Sequence, residues 1–344
     1  MKKFIALMLS VIMLLAFAGC SEINNNNEES SSDDAGNTAS LTKITFALDW
    51  TPNTNHTGLY VAKELGYFED AGLDVEIVYV ADSSSTTLCA TGNAQFAIEA
   101  QDTMAAALTG DSPLGITAVA AILQHNTSGI ISRKGEGIDS PKGLSGKTYS
   151  TWDSPVELAM LESVVETDGG NFDDVKLIPN TVTDEPGALA AKQTDAIWVF
   201  YGWGGINADV QDFEYDFFFF KDIDDVFDYY TPIIIGNNEY MEANPETTKA
   251  FLAAAKKGYE YAAQNPDESA QILIDADNTG SLKGSEELVK QSQKWISTQY
   301  IADAESWGVI DADRWNAFYN WLNENDLVEN DIPEGTGFTN EYLN

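Results

Sequence analysis

The chain reads as an α/β protein built as two lobes, the first of which is completed by residues from the end of the chain. Two alternating sets of short apolar runs and helical stretches predict the lobes, one over residues 43–123 and one over 129–220. A further apolar run at 231–235, followed only by helical patterns, predicts a return to the first lobe. Alternation of strand and helix requires crossover connections, hence a largely parallel sheet in each unit. The roughly 300 residues beyond the polar N-terminal stretch also exceed what one hydrophobic core usually serves.

In the first set, strands are expected at 44–48, 74–80, 94–98 and 116–123, with helices at 58–65, 84–90 and 103–108 between them. The second set places strands at 129–132, 147–151, 175–179 and 196–200, and helices at 155–167 and 185–191. After 231–235 the pattern is helical at 245–265, 266–276, 285–301 and 311–324. Several of these begin with Asn or Asp next to Pro, whose missing N–H costs nothing in a first helical turn. The chain then crosses between lobes near 124–127 and again near 229–232. Two crossings make a hinge, and a cleft between hinged lobes can close on a ligand. Lobe 1 is accordingly 43–126 with 232–344, and lobe 2 is 127–231. No internal sequence repeat is visible.

Residues 1–19 read as a lipoprotein signal: Lys2 and Lys3, an apolar run at 4–17 too short to span a bilayer, then Ala18-Gly19-Cys20. Cleavage before Cys20 leaves that cysteine to carry lipid and tie the protein to the membrane surface. Phe17 departs from the leucine usual in such a box, and a plain secretory signal or uncleaved anchor is the alternative. Residues 20–42, rich in Asn, Glu, Ser and Asp, cannot bury a core and read as a solvated tether. With Cys20 lipidated only Cys89 remains, so neither a disulfide nor a cysteine-rich metal site is expected. A net charge of −37 leaves no basic footprint for nucleic acid. Its spread along the chain suits a surface solvated against aggregation in saline or alkaline surroundings better than it argues for a cationic ligand.

Four segments fall at strand ends that face the expected cleft. Leu48-Asp49-Trp50-Thr51-Pro52-Asn53-Thr54-Asn55-His56 gathers a ring, a carboxylate, two amides and one of the chain's two histidines, with Tyr60 just beyond. Loops leaving the carboxyl ends of α/β strands are where ligands bind. Gln124-His125-Asn126-Thr127-Ser128 sits at the first crossing. Ser150-Thr151-Trp152-Asp153-Ser154-Pro155-Val156-Glu157 joins a strand to a helix, and Trp198-Val199-Phe200-Tyr201-Gly202-Trp203 follows another strand. Trp50, Trp152, Tyr201 and Trp203 could hold a planar heterocycle, each offset stack adding about 0.5–1.5 kcal/mol beyond burial. Tyr60 and Tyr229 are further candidates for that apolar slot. Trp295, Trp307, Trp315 and Trp321, in the helical region, read as packing.

Catalytic patterns are poor by comparison. His56 and His125 lack the close spacing of a metal site, and no metal or cofactor is expected. Asp49 and Glu157 could act as an acid/base pair, but Glu157 in the first turn after Pro155 equally suits the helix dipole. Ser154 sits at a helix N-cap without the Gly-x-Ser-x-Gly context of a nucleophile, and no phosphate-binding glycine motif occurs. The residues point to binding, not turnover.

Several of these segments resemble the NMT1/THI5-like solute-binding proteins, most closely the bacterial ones that deliver thiamine pyrimidine precursors to an ABC importer. They are the 48–58 stretch, Gly66-Tyr67-Phe68, Gly72-Leu73-Asp74-Val75, Gln124-His125-Asn126-Thr127-Ser128-Gly129, Ser154-Pro155-Val156-Glu157, Phe200-Tyr201-Gly202-Trp203, Asp228-Tyr229-Tyr230-Thr231-Pro232 and Phe338-Thr339-Asn340-Glu341-Tyr342-Leu343. The resemblance covers nearly all of 43–343. It implies a type II periplasmic-binding-protein fold acting as a monomer, and a ligand such as N-formyl-4-amino-5-aminomethyl-2-methylpyrimidine. It also implies a permease and ATPase as partners, and thiamine salvage as the purpose. Such a ring offers an amino donor beside a ring-nitrogen acceptor, which a neutral amide of Asn53, Asn55, Gln101 or Asn126 could read. A carboxylate of Asp49 or Glu157 would instead favour a protonated ring. The family also holds pyrimidine synthases, which carry a cysteine-rich motif before the returning strand. Here that place reads Val226-Phe227-Asp228-Tyr229-Tyr230-Thr231, without cysteine, and Glu99-Ala100-Gln101-Asp102-Thr103 stands where synthases have lysine and histidine. A receptor for another flat solute, such as a sulfonate or a riboflavin-like compound, is the remaining alternative. Arg133 and Lys134 are the one basic pair near the candidate segments that would favour an anion.

Overall fold

The computed structural model of the chain describes residues 40–81 and 83–343. The expected signal at 1–19, Cys20 and all but the end of the tether lie outside the described residues. Among the described residues no helix is long and apolar enough to cross a membrane. Ten strands occur among the described residues, in chain order: β1 (Thr42–Ala47), β2 (Leu73–Val78), β3 (Phe96–Glu99), β4 (Ile116–Ala121), β5 (Ser128–Arg133), β6 (Thr148–Thr151), β7 (Lys176–Pro179), β8 (Ala196–Phe200), β9 (Tyr215–Phe219) and β10 (Ile233–Asn237). Helices α1 (Thr57–Glu64), α2 (Tyr67–Asp70), α3 (Ser85–Ala90) and α4 (Gln101–Thr109) belong to the first set. Helices α5 (Pro155–Thr167), α6 (Glu185–Ala190) and α7 (Ile206–Val210) belong to the second. After β10 come α8 (Asn238–Ala243), α9 (Pro245–Gln264), α10 (Pro266–Ala276), α11 (Glu286–Ile296) and α12 (Ala312–Glu324).

The strands form two sheets, ordered β2-β1-β3-β10-β4 and β7-β6-β8-β5-β9. In the first, β1 runs parallel to β2 and β3, while β10 lies antiparallel between β3 and β4. In the second, β6 runs parallel to β7 and β8, while β5 lies antiparallel between β8 and β9. The two orders are identical if β5 and β10 are taken as exchanged: each sheet receives, as its fourth strand, the segment that has just crossed from the other lobe. The topology repeats although the sequence does not. The expected largely parallel sheets are therefore mixed, for a geometric reason. A crossing strand enters at the edge where the parallel strands end, so it must run against them. The same constraint turns the carboxyl edges of both sheets toward the hinge, where α/β folds place their ligands.

Two further expectations are corrected. β9 lies in a stretch for which no strand was expected, because Tyr-Asp-Phe-Phe-Phe reads as a continuous aromatic run and not an alternating one. Its outward Phe217 and Phe219 are half-buried against the ring of Tyr201, at centroid distances of 5.1 and 5.6 Å, so the outer face is apolar too. The helix expected at 285–301 ends at Ile296, and turns follow, with Ala302 in the left-handed region at φ 46°.

The helices after β10 cover lobe 1. Phe251 of α9 stacks on Phe96 at 4.2 Å and on Phe68 at 5.3 Å, joining the helix to the sheet. Trp307 and Trp315 are fully buried, and Trp307 stacks on Tyr259 at 4.5 Å. The outer edge of β4 is covered by backbone bonds from Ala118 to Gly337 and Thr339, and from Ala121 to Gly308, which removes an exposed edge strand. Helices α1 and α9 approach through glycine. A Cβ on Gly258 would lie 2.0 Å from the carbonyl oxygen of Gly58, and one on Gly58 would lie 2.2 Å from the ring of Tyr259. Backbone cannot yield to a methyl at that distance, so Gly258→Ala must push α9 off α1. The expected cost is about 1–3 kcal/mol, the usual range for overpacking. A thermal melt should show a midpoint several degrees below wild type; an unchanged midpoint would mean the helices are free to separate.

Candidate functional site

The first loop is tied inward along most of its length. His56 is fully buried. Its Nδ1 faces the backbone N–H of Asn53 at 3.3 Å and must accept, so its proton sits on Nε2, which donates to Asp49 Oδ1 at 3.0 Å. Asn53 caps the 3-10 turn Thr54–His56, its Oδ1 accepting from Asn55 N–H at 2.9 Å and its amide donating to the Thr51 carbonyl. Tyr300 donates to the Thr54 carbonyl at 2.6 Å and Tyr259 to the Asn55 carbonyl at 2.8 Å. Thr57 donates to Gln293 at 2.6 Å. Two candidates remain turned to solvent. Asp49 is held by His56, and the Trp50 side chain is 56 % exposed, against the usual burial of a tryptophan.

The second lobe presents a matching edge. Glu157 is buried and accepts from Tyr149 Oη at 2.6 Å, Thr151 Oγ1 at 2.8 Å, and the backbone N–H groups of Trp152 and Ser154 at 3.0 and 3.4 Å. Four donor groups saturate this carboxylate, so its role is to shape the loop that carries Trp152. Asp153, at φ 63°, completes that turn. Trp152 lies over Trp198 at 5.5 Å and remains 47 % exposed. At the end of β8, Phe200 is 37 % exposed. Three aromatic faces thus stand at strand ends bordering the cleft, Trp50 on lobe 1 and Trp152 and Phe200 on lobe 2.

Several sequence candidates are placed elsewhere. Tyr60 is buried on the far side of α1, near Asp277, and desolvation pushes its hydroxyl up to about 12. Tyr229 is buried and stacks on Phe318 at 4.1 Å. Gln101 is fully buried, donating to the Trp315 carbonyl at 2.8 Å and accepting from Tyr230 N–H at 3.0 Å. Asn126 is fully buried too, bonded to the Phe227 carbonyl and the Ser128 N–H at 2.8 Å each. Their amides are spent on backbone and have little left to read a ligand. Tyr201 packs on Trp295 at 5.1 Å, and Trp203 packs against the core of lobe 1, so both serve contact between lobes. Arg133 ends β5 and Lys134 follows it; β5 runs opposite to its neighbours, so both lie at the edge of the sheet away from the cleft. There they pair with Glu136, Asp195 and Asp216.

Two acids missed by the sequence reading complete the edge of lobe 1. Glu99 ends β3 and Asp102 lies in the first turn of α4, both half-buried. Loss of solvent pushes the Glu99 carboxyl up to about 7, against hydrogen bonds from Thr103 and Ala100 N–H, with the nearby charges of Asp102 and Asp49 adding to the rise. Loss of solvent likewise pushes Asp102 up to about 6. Among the described residues none of the three acids is paired with lysine or arginine.

The crossings meet at Asp228. It accepts from Asn126 N–H at 2.9 Å and from His125 Nδ1 at 2.6 Å, with Arg314 Nε at 3.6 Å. His125 Nε2 meets Asp303 Oδ1 at 2.8 Å, so both ring nitrogens face carboxylates and both must donate. Its pKa is raised above the ordinary 6.5, chiefly by the bond to Asp228, against desolvation and the charge of Arg314.

Two lobes of this topology, crossed twice and edged with exposed rings, define the fold of the type II solute-binding proteins. A ligand-binding component of an ABC-type import system from Staphylococcus aureus superposes with a TM-score of 0.65 at 15 % identity, covering 88 % of this chain and 98 % of that one. The chain belongs to the NMT1/THI5-like family, whose pattern matches residues 53–269. It is similar to the formylaminopyrimidine-binding protein of Halalkalibacterium halodurans, 29 % identical over 313 residues, 88 % of this chain and 92 % of the relative. It is also similar to a 4-amino-5-hydroxymethyl-2-methylpyrimidine phosphate synthase of Saccharomyces cerevisiae, 26 % identical over 258 residues, 69 % of this chain and 72 % of that protein.

A group whose pKa is raised on folding stabilises most below its unfolded value and loses that contribution as pH rises through the folded one. The stability of wild type over His125→Gln is therefore expected in full below pH 6.5 and lost as pH climbs beyond it. Denaturant midpoints of the two proteins across that range measure it; a constant difference would mean the imidazole is uncharged at the crossing.

Proposed function

We propose that the chain is the receptor of an ABC importer, capturing a 4-aminopyrimidine such as N-formyl-4-amino-5-aminomethyl-2-methylpyrimidine and passing it to a permease and its ATPase for thiamine salvage. The observation that carries this reading is the conjunction of exposed rings with carboxyls that no cation neutralises. The rings suit a flat heterocycle. The carboxyls suit its amidine-like edge and oppose an anion such as a sulfonate, which would meet like charge at Asp49, Glu99 and Asp102. A carboxyl near neutrality is apt for this edge. As an acid Glu99 donates to the ring nitrogen and accepts from the amino group; as a carboxylate it pairs with a protonated ring. Either way one proton is shared between them.

Closure follows from differential affinity, since contacts from both lobes exist together only when the cleft is shut. The synthase relatives pose the rival reading. Against it stand a segment at 226–231 without cysteine and a β3–α4 junction with acids in place of lysine and histidine. Anchoring at the outer membrane face through lipid on Cys20 is part of the same proposal.

The test is a titration of the pyrimidine, followed by tryptophan fluorescence. Trp50→Ala and Trp152→Ala should each weaken binding about tenfold, roughly one stacked and buried ring face, with the melting midpoint little changed for Trp50→Ala and somewhat lowered for Trp152→Ala, which loses its packing on Trp198. Undiminished affinity in both would sink the aromatic slot. Above about pH 7 the empty site has lost the shared proton and must regain it on binding. Affinity should therefore fall as pH rises past that point, and Glu99→Gln should remove the inflection. Cys20→Ala should release the protein into the medium, and retention on cells would count against the anchor.

A further inference from the structure

Beyond the two crossings the lobes meet at a third place. After β8 the chain makes a π-helical turn, Tyr201–Gly205, that seats on α11 of lobe 1. Buried Ser292 of α11 donates to the Gly202 carbonyl, which can only accept. The lone pairs of Ser292 are then left to the buried Thr54 hydroxyl, 2.6 Å away, which must donate. Thr54 opens the 3-10 turn that ends at His56, the residue holding Asp49. On the other side, Gly202 lies two residues beyond exposed Phe200. The relay therefore begins at the loop bearing Asp49 and Trp50 and ends at the strand bearing Phe200.

The seat is tight enough to transmit motion. A Cβ on Gly202 would lie 3.1 Å from the Trp295 ring and 3.4 Å from Ile296. Tyr201 packs on Trp295 at 5.1 Å, and Trp203 packs into the lobe 1 core. Rotation of lobe 2 about the crossings must shear this seat, and the buried hydroxyl pair then loses its acceptor at Gly202. π-helical turns are rare and concentrate at functional sites.

We propose that Ser292 is a positioning residue: its hydroxyl sets the angle between the lobes in the empty receptor, and with it the spacing of the lobe 1 and lobe 2 cleft walls. It touches no ligand. It acts by limiting how far the empty cleft opens, so that less ordering remains to be done on binding. This rests on the two-lobed fold and not on the identity of the ligand.

The experiment is a spin-label distance measurement in the full chain without ligand, between Glu76→Cys on β2 and Lys176→Cys on β7, both exposed. The chain carries Cys20→Ser so that only the introduced cysteines are labelled, and Cys89 is buried and stays unlabelled. Ser292→Ala should broaden the distribution and shift it to longer distance. The conservative Ser292→Thr, which keeps the hydroxyl, should restore the wild-type profile. Gly202→Ala, which presses from the opposite lobe with both hydroxyls intact, should broaden it as Ser292→Ala does, and it decides the matter if Ser292→Ala fails to fold. In parallel, affinity for formylaminopyrimidine should fall about fivefold to tenfold in Ser292→Ala and Gly202→Ala. A lower melting midpoint with unchanged distances and affinity would make the contact merely structural and overturn the proposal. If wild type itself does not bind the pyrimidine, the functional reading fails while the ligand-free distances still decide this one.

Discussion

Everything about the cleft depends on the chain entering and leaving lobe 2 at one edge, and Asp228 is the group that fixes that edge. Its carboxylate takes the backbone N–H of Asn126 from the first crossing while belonging to the second, and His125 closes the pair from the same side. Gln101 then ties the end of β3 to Tyr230 just beyond. These bonds are half- or fully buried, where a hydrogen bond to a charged group contributes more than a neutral one and where leaving it unmade is costly. The antiparallel direction of β5 and β10, the carboxyl edges turned toward each other and the placement of the exposed rings all follow from it.

A second principle divides the polar residues around the cleft. Loops that must show a ring or a carboxyl to water, yet hold it still, need their own supports inside the protein. His56, Asn53, Thr54 and Thr57 give the first loop that rigidity, and Glu157 gives it to the Trp152 turn by accepting from four groups. Most of the donors and acceptors in these segments thus address the backbone. On the proposed reading the residues left for a solute are chiefly three rings and three acids.

That division explains what was legible in the sequence. The strands, the lobes and the loops at strand ends could be read from apolar alternation, because burial imposes it. Which polar residues face the cleft could not. The 48–56 stretch looks equally rich whether its amides bind a ligand or cap a turn, and only coordinates show Asn53 capping and Gln101 stapling. Glu99 passed unnoticed because a lone acid after a strand is an ordinary loop residue until desolvation shifts it. Phe200 was hidden as the last residue of an otherwise buried strand, and β9 by having apolar residues on both faces.

The acidity of the chain and the acidity of the cleft are separate effects. A net charge of −37 acts at long range and is screened within about 10 Å at moderate salt, so it tunes encounter and solubility rather than choice of solute. The carboxyls of Glu99 and Asp102 are different, because they are half-buried, where screening by salt is weaker. Their raised pKa values state the same fact from the other side: charge there is costly unless a positive or proton-sharing group arrives. A flat base with a donor and an acceptor on one edge relieves that cost; an anion increases it. On the proposed reading, selectivity resides in these two half-buried acids at the β3–α4 junction, and the surrounding surface can change with habitat without altering it.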